Sequence, residues 1–139
     1  MKSTFEGLFE IRDMQPSDKN FVLATFLRGI YHGDSWFSKI PRGIFMQNYK
    51  VFAEALIDNT NKVTVKVACL PDDKDIIMGY SILSADYQTI HFVYVKKSWR
   101  KKGIAKALLP KFPTTVTHLT DLGSKLLHKF ENVTFNPFK

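Results

Sequence analysis

The chain has 139 residues, 45% hydrophobic and 14% aromatic, which is enough apolar material for the core of one domain and too much for disorder. One cysteine excludes an internal disulfide framework, and no apolar run approaches the ~18 residues that a membrane span needs. The formal charge of +7 is local: Lys96, Lys97, Arg100, Lys101, Lys102, Lys106 and Lys111 share an acid-free segment, leaving 13 of the 20 bases to balance the 13 acids. A neutral body with one cationic segment points to a local anionic partner rather than to a general nucleic-acid coat.

Leu8 to Met14 reads as a first strand. Gln15-Pro16-Ser17-Asp18 is a turn, in which Ser17 or Asp18 would cap the helix carrying Phe21, Val22, Leu23, Phe26, Leu27 and Ile30. Residues 33–43 form a loop around Trp36 and Phe37. Phe45, Tyr49, Phe52 and Leu56 then recur at helical spacing and predict a second helix ending near Asn59, with this stripe in the core. At Val63 the period changes to alternation through Val65, Val67 and Cys69, a strand in which Cys69 is core filler.

Ile76–Leu83 is the next strand, with a bulge or close backbone approach at Gly79. Thr89–Val95 follows, with Ile90, Phe92 and Tyr94 on one face and Thr89, His91, Val93 and Val95 on the other. Short turns make these three strands an antiparallel meander. A basic loop, Lys96–Lys102, leads through Gly103 into a short helix that Pro110 ends. Thr114–Leu119 reads as a strand, Leu122–Phe130 as a helix and Asn132–Phe135 as a last strand. The order is β-α-α-β-β-β-α-β-α-β, a mixed α+β class with a mixed central sheet. With no repeat or linker, residues 1–139 are expected to be a single domain, and with no apolar signal-peptide region a cytoplasmic one.

The chemistry concentrates where the strand ending Tyr94-Val95 runs into Arg100-Lys101-Lys102-Gly103-Ile104-Ala105 and on to Leu108-Leu109. Free amides and the dipole of a first helical turn favour an anion, Gly103 and Ala105 lack bulk, and the cations add attraction. As physics this is a phosphate or pyrophosphate site. The segment resembles the (Gln/Arg)-x-x-Gly-x-(Gly/Ala) signature of the GNAT N-acetyltransferase superfamily, and the element order over residues 8–135 is similar to that fold. A fainter similarity, partly through Phe135-Asn136-Pro137-Phe138, is to small acetyltransferase-like proteins encoded by bacteriophages, which would place the chain in a host cytoplasm.

The resemblance implies acetyl-coenzyme A as acetyl donor and an amine acceptor. The pyrophosphate would lie on the loop Arg100, Lys101, Lys102, Gly103, Ile104, Ala105, with Lys106 beside it, and the pantetheine arm along Val93 and Val95. The strand Thr114–Leu119 would splay away to admit the thioester. His91 matches a position where some members carry a histidine that helps deprotonate the amine, and histidine titrates near neutrality. The family's usual general acid is a Tyr on the last helix, but no Tyr follows Tyr94, so His128 stands nearest that place, with His118 and Ser124 as alternatives. Trp36, Asp34 and His32 fall where members often build the acceptor pocket, with Asp34 able to attract a cationic amine, although a packing tryptophan is the plainer reading of Trp36.

No histidine–cysteine spacing suggests a metal. Two other classes stay open: a non-catalytic module of the same fold, motivated by the missing Tyr, and a nucleic-acid binder using the basic loop 96–111, where Trp99 is the lone aromatic. A monomer or homodimer, free of membrane and of nucleic acid, is the expected form.

Overall fold

The switch from helical to alternating periodicity at Val63 separates two long helices from the run of strands that follows them. A computed structural model describes residues 9–100, 103–111, 113–117 and 133–137. Its elements are β1 (Glu10–Asp13), α1 (Lys19–Gly33), α2 (Arg42–Asp58), β2 (Val63–Cys69), β3 (Ile77–Ser84), β4 (Thr89–Val95), α3 (Ile104–Leu108), β5 (Thr115–Val116) and β6 (Thr134–Phe135). The strands make one sheet in the order β1-β2-β3-β4-β5-β6. β1 through β4 pair antiparallel, whereas β5 joins β4, and β6 joins β5, in parallel. The mixed α+β class and the meander agree with the sequence. The helix expected at 122–130 lies outside the described residues.

Strand alternation sorts the core into layers. Val63, Val65, Val67, Tyr80, Ile82 and Phe92 face α1 and α2. Ala68, Met78, Val93 and Val95 turn to the other face, where Ile104 and Leu108 of α3 cover them. The α1 layer sits close on β4: a Cβ at Gly29 would come within 2.5 Å of the Phe92 ring. α3 is held by Ser81 on β3, whose buried hydroxyl donates to the Leu108 carbonyl at 2.9 Å.

Two bulges interrupt the alternation of the described strands. The register moves from Ala68↔Gly79 to Cys69↔Ile77, leaving Met78 extra, and from Ile82↔Phe92 to Leu83↔Ile90, leaving His91 extra. Gly79 is where backbones crowd, since a Cβ there would lie 2.5 Å from the Tyr94 carbonyl oxygen. The second bulge corrects the face assignment of β4. Ile90 packs with Leu83 and Val116, away from Phe92 and Tyr94. An extra residue reverses the alternation on one side of it.

Two further expectations change. Asp18 does not cap α1 with its side chain. It accepts instead from Gln15 N at 2.8 Å and from Arg12 at 2.6 Å, an ion pair that ties β1 to the start of α1. The aromatic stripe on α2 is also not uniformly core. Phe45 is buried, but Ala53 and Ile57 continue the buried face, leaving Tyr49 half-buried and Phe52 exposed.

Candidate functional site

β4 joins two places with ligand chemistry. Beyond its C-terminal end the chain makes a 3-10 turn, Lys97–Trp99, and enters α3 at Gly103. Gly103 has φ +79, a left-handed conformation that other side chains rarely adopt, and a Cβ there would meet nothing within 4 Å among the described residues. The backbone is therefore approachable at this point. Ile104 is buried in the second core and Ala105 packs against it, so their side chains anchor the turn, and the small size of Ala105 serves packing as well. Lys106 is exposed.

The cations divide by role. Arg100 Nε donates to the Val95 carbonyl at 3.0 Å, bracing the loop against the end of β4. Lys96 places its ammonium 5.0 Å from the centre of the Phe21 ring. Lys97 and Lys111 are exposed, and Lys101 and Lys102 lie outside the described residues. Trp99 packs half-buried against the second core, so it offers no open stacking platform of the kind single-stranded nucleic acid uses.

The edge of β4 has a defined polarity. Lys96 N donates to the Met78 carbonyl at 2.9 Å, and Tyr94 and Phe92 stand opposite Tyr80 and Ile82. Hydrogen-bonded pairs alternate along an antiparallel ladder, so Val93 and Val95 direct their backbone groups to the β5 side. Among the described residues, β5 follows that edge only through Thr89↔Thr115 and Ile90↔Val116, with a last bond from Thr117 N to the Ile90 carbonyl at 3.1 Å. From His91 to Val95 the edge runs about 13 Å, at about 3.3 Å per residue.

At the other end His91, 6% exposed, sits behind Thr117, with Nδ1 3.0 Å from Thr117 Oγ1. Thr117 lines a cleft of about 340 Å³ together with Asp34, Trp36, Phe37, Tyr49, Phe52, Phe135 and Pro137. Asp34 Oδ1 accepts from Trp36 N at 2.8 Å and from Phe37 N at 3.3 Å, which fixes the carboxylate at the turn after α1. Burial, with the charge of Asp34 adding to it, pushes the Tyr49 hydroxyl far above its ordinary range, so it stays protonated.

The expected residues are thus partly brought together. Asp34 and Trp36 share the cleft, and Trp36 is 70% exposed, a cleft-wall residue rather than a packing one. His32 is exposed beside Tyr31 and does not line the cleft. His91 is one residue removed from it, behind Thr117. His118, Ser124 and His128 lie outside the described residues. Thr117, Tyr49 and Phe52 escaped the sequence reading. The bulge that turns His91 toward Thr117 leaves no mark in the sequence, and the α2 stripe looks like ordinary core.

The model of the acetyltransferase (GNAT) domain matches residues 45–129. No curated protein sequence matches the chain. Solved structures show the same fold at low identity. A Pyrococcus furiosus protein described as an acetyl transferase superposes with a TM-score of 0.59 at 14% identity, covering 92% of this chain and 81% of that one. The ribosomal-protein-alanine N-acetyltransferase from Brucella melitensis biovar Abortus 2308 gives 0.51 at 18% identity, covering 87% and 89%. A Corynebacterium glutamicum ATCC 13032 structure described as histone acetyltransferase HPA2 and related acetyltransferase gives 0.52 at 12%, covering 73% and 67%.

Proposed function

The chain belongs to the acetyltransferase (GNAT) family, and from that premise we propose that it transfers an acetyl group from acetyl-coenzyme A to a primary amine by direct attack of the amine. The single observation that carries this reading is the β4 edge, with an open left-handed glycine at one end and an amine-sized cleft at the other. When bound, acetyl-coenzyme A supplies the acetyl group as an activated thioester.

The residues present fit that donor. Open space beside Gly103 suits a pyrophosphate close to the backbone, and the exposed Lys106 adds charge. The backbone groups of Val93 and Val95 can hold an extended, amide-bearing arm as an added strand would be held. Arg100, bonded to Val95, keeps loop and edge in register. Lys101 and Lys102 belong to the same proposed cradle by sequence position.

His91 is the proposed base. An amine must be neutral to attack, and Thr117 presents its hydroxyl between the cleft and the imidazole. In the tautomer protonated at Nε2, Nδ1 accepts from Thr117 Oγ1–H, so a proton taken by Thr117 from the amine is matched by one passed to His91. The general acid stays with the segment that carries His118 and His128. The half-buried Trp99 weighs against the nucleic-acid reading.

Incubation with acetyl-coenzyme A and a panel of primary amines, followed by release of the free thiol, tests the proposal. Amine-dependent release with an N-acetylated product is expected. Donor binding without acetylation of any amine would favour a non-catalytic module of this fold.

A further inference from the structure

The cleft beside Thr117 has a composition that narrows the acceptor. Trp36, Phe37, Tyr49 and Phe52 form a continuous aromatic wall: successive ring centroids lie 5.1, 5.3 and 5.1 Å apart. Tyr49 is stacked on the buried Phe45 at 5.0 Å, so the wall is anchored in the core. Trp36 and Phe52 are nonetheless 70% and 51% exposed, which leaves apolar ring surface facing the opening. Among the described lining residues Asp34 is the lone charged group. Its Oδ1 is fixed by two backbone amides, so the carboxylate is pre-set rather than swinging in solvent.

These features select a ligand by shape and by charge. Flat aromatic faces favour a ring, and aromatic faces together with one carboxylate favour a cation. One carboxylate balances one ammonium. A polyamine or an amino sugar with several cations would leave charges unmatched against apolar walls. The volume, about 340 Å³, is at the lower end of small-ligand pockets and suits a single ring with a short chain.

We propose that the acceptor is a monocationic arylalkylamine, its ring lying on the Trp36–Phe37–Tyr49–Phe52 wall and its ammonium matched by Asp34. This rests on the reading of the chain as an amine acetyltransferase, but binding is separable from transfer. Asp34→Asn isolates the charge, because an asparagine oxygen can still accept from Trp36 N and Phe37 N and so preserves the turn. The ring wall is probed by Trp36→Ala at an exposed position.

The test measures equilibrium binding of phenethylamine, its uncharged alcohol analogue, hexylamine and spermidine to the full chain by calorimetry. A parallel assay measures acetylation of the three amines. Phenethylamine is expected to bind more tightly than hexylamine or spermidine. Asp34→Asn is expected to weaken phenethylamine about tenfold, as loss of a charge-assisted contact does, while leaving the alcohol unchanged. Trp36→Ala should weaken both ring compounds. Equal binding of hexylamine, a preference for spermidine, or an Asp34→Asn effect as large on the alcohol as on the amine would overturn the acceptor class. If phenethylamine binds as expected but is not acetylated, the acceptor class stands and the catalytic reading fails. If another amine is acetylated and phenethylamine neither binds nor reacts, the reverse holds.

Discussion

His91 and Thr117 carry the proposed proton transfer as a pair, because the imidazole is buried and only the threonine lines the cleft. In that proposal Thr117 contacts the amine and His91, 3.0 Å away, is the sink behind it. Thr117→Val keeps the shape and removes the hydroxyl, so it should lower kcat by about a hundredfold, near the lower bound for general-base assistance. His91→Gln should do the same, and it should also alter the pH–rate profile, because the group proposed to take the proton is gone. A pH–rate profile unchanged in His91→Gln would remove the histidine from the mechanism. In the sequence the family resemblance points to His91 and His118, whereas nothing there singles out Thr117. A one-residue bulge decides which neighbour meets the imidazole, and its sequence cause is invisible at the level of alternation.

The proposed donor edge depends on how β3, β4 and α3 fit together. Gly79 lets the strands approach, and an added Cβ would strike the backbone of Tyr94 rather than a side chain that can swing aside. Gly79→Ala should therefore destabilise the protein by about 1–3 kcal/mol, as overpacking does, and should weaken donor binding by displacing Val93 and Val95. Denaturant unfolding beside donor titration checks both effects. A stable variant with unaltered affinity would show that the spacing of β3 and β4 does not set the edge. Most elements were legible because their signals are local: the alternation of β2 and β4, the helical stripe of α2, and the stop at Pro110. The face assignments failed where an extra residue, His91, reverses the alternation, and where Ala53 and Ile57 rather than Phe52 and Leu56 complete the buried side of α2.

Across the whole molecule the cationic loop and the Asp34 cleft lie toward opposite ends of β4, which in the proposed reading separates attraction for a polyanionic donor from attraction for a cationic acceptor. The scaffold includes the Arg12–Asp18 pair between β1 and the start of α1, well shielded with side chains 11% and 4% exposed. Burial alone would raise the Asp18 carboxyl, but the bonds from Arg12 and from Gln15 N outweigh it and hold the carboxyl below its ordinary value. A depressed folded value means that Asp18 contributes stability above the unfolded carboxylate pKa of about 3.9, and that this contribution is lost as pH falls through the lower folded value. Asp18→Asn should cost about 3 kcal/mol near neutrality by leaving Arg12 without its anion, and the gap to wild type should close at acid pH. Thermal melts of both proteins from about pH 6 to about pH 2 would show it, and a gap independent of pH would contradict the charge argument.

The local excess of cations in an otherwise neutral chain coincides with one end of the proposed site, where the backbone at Gly103 is open among the described residues. Calorimetric titration of acetyl-coenzyme A into the wild-type chain and Gly103→Glu is the most direct check. The account predicts saturable binding by wild type and at least about tenfold weaker binding by Gly103→Glu, in which a bulky anion stands where the pyrophosphate would lie. No heat of binding by a folded wild-type chain at millimolar ligand, or equal affinity in the two proteins, would contradict it.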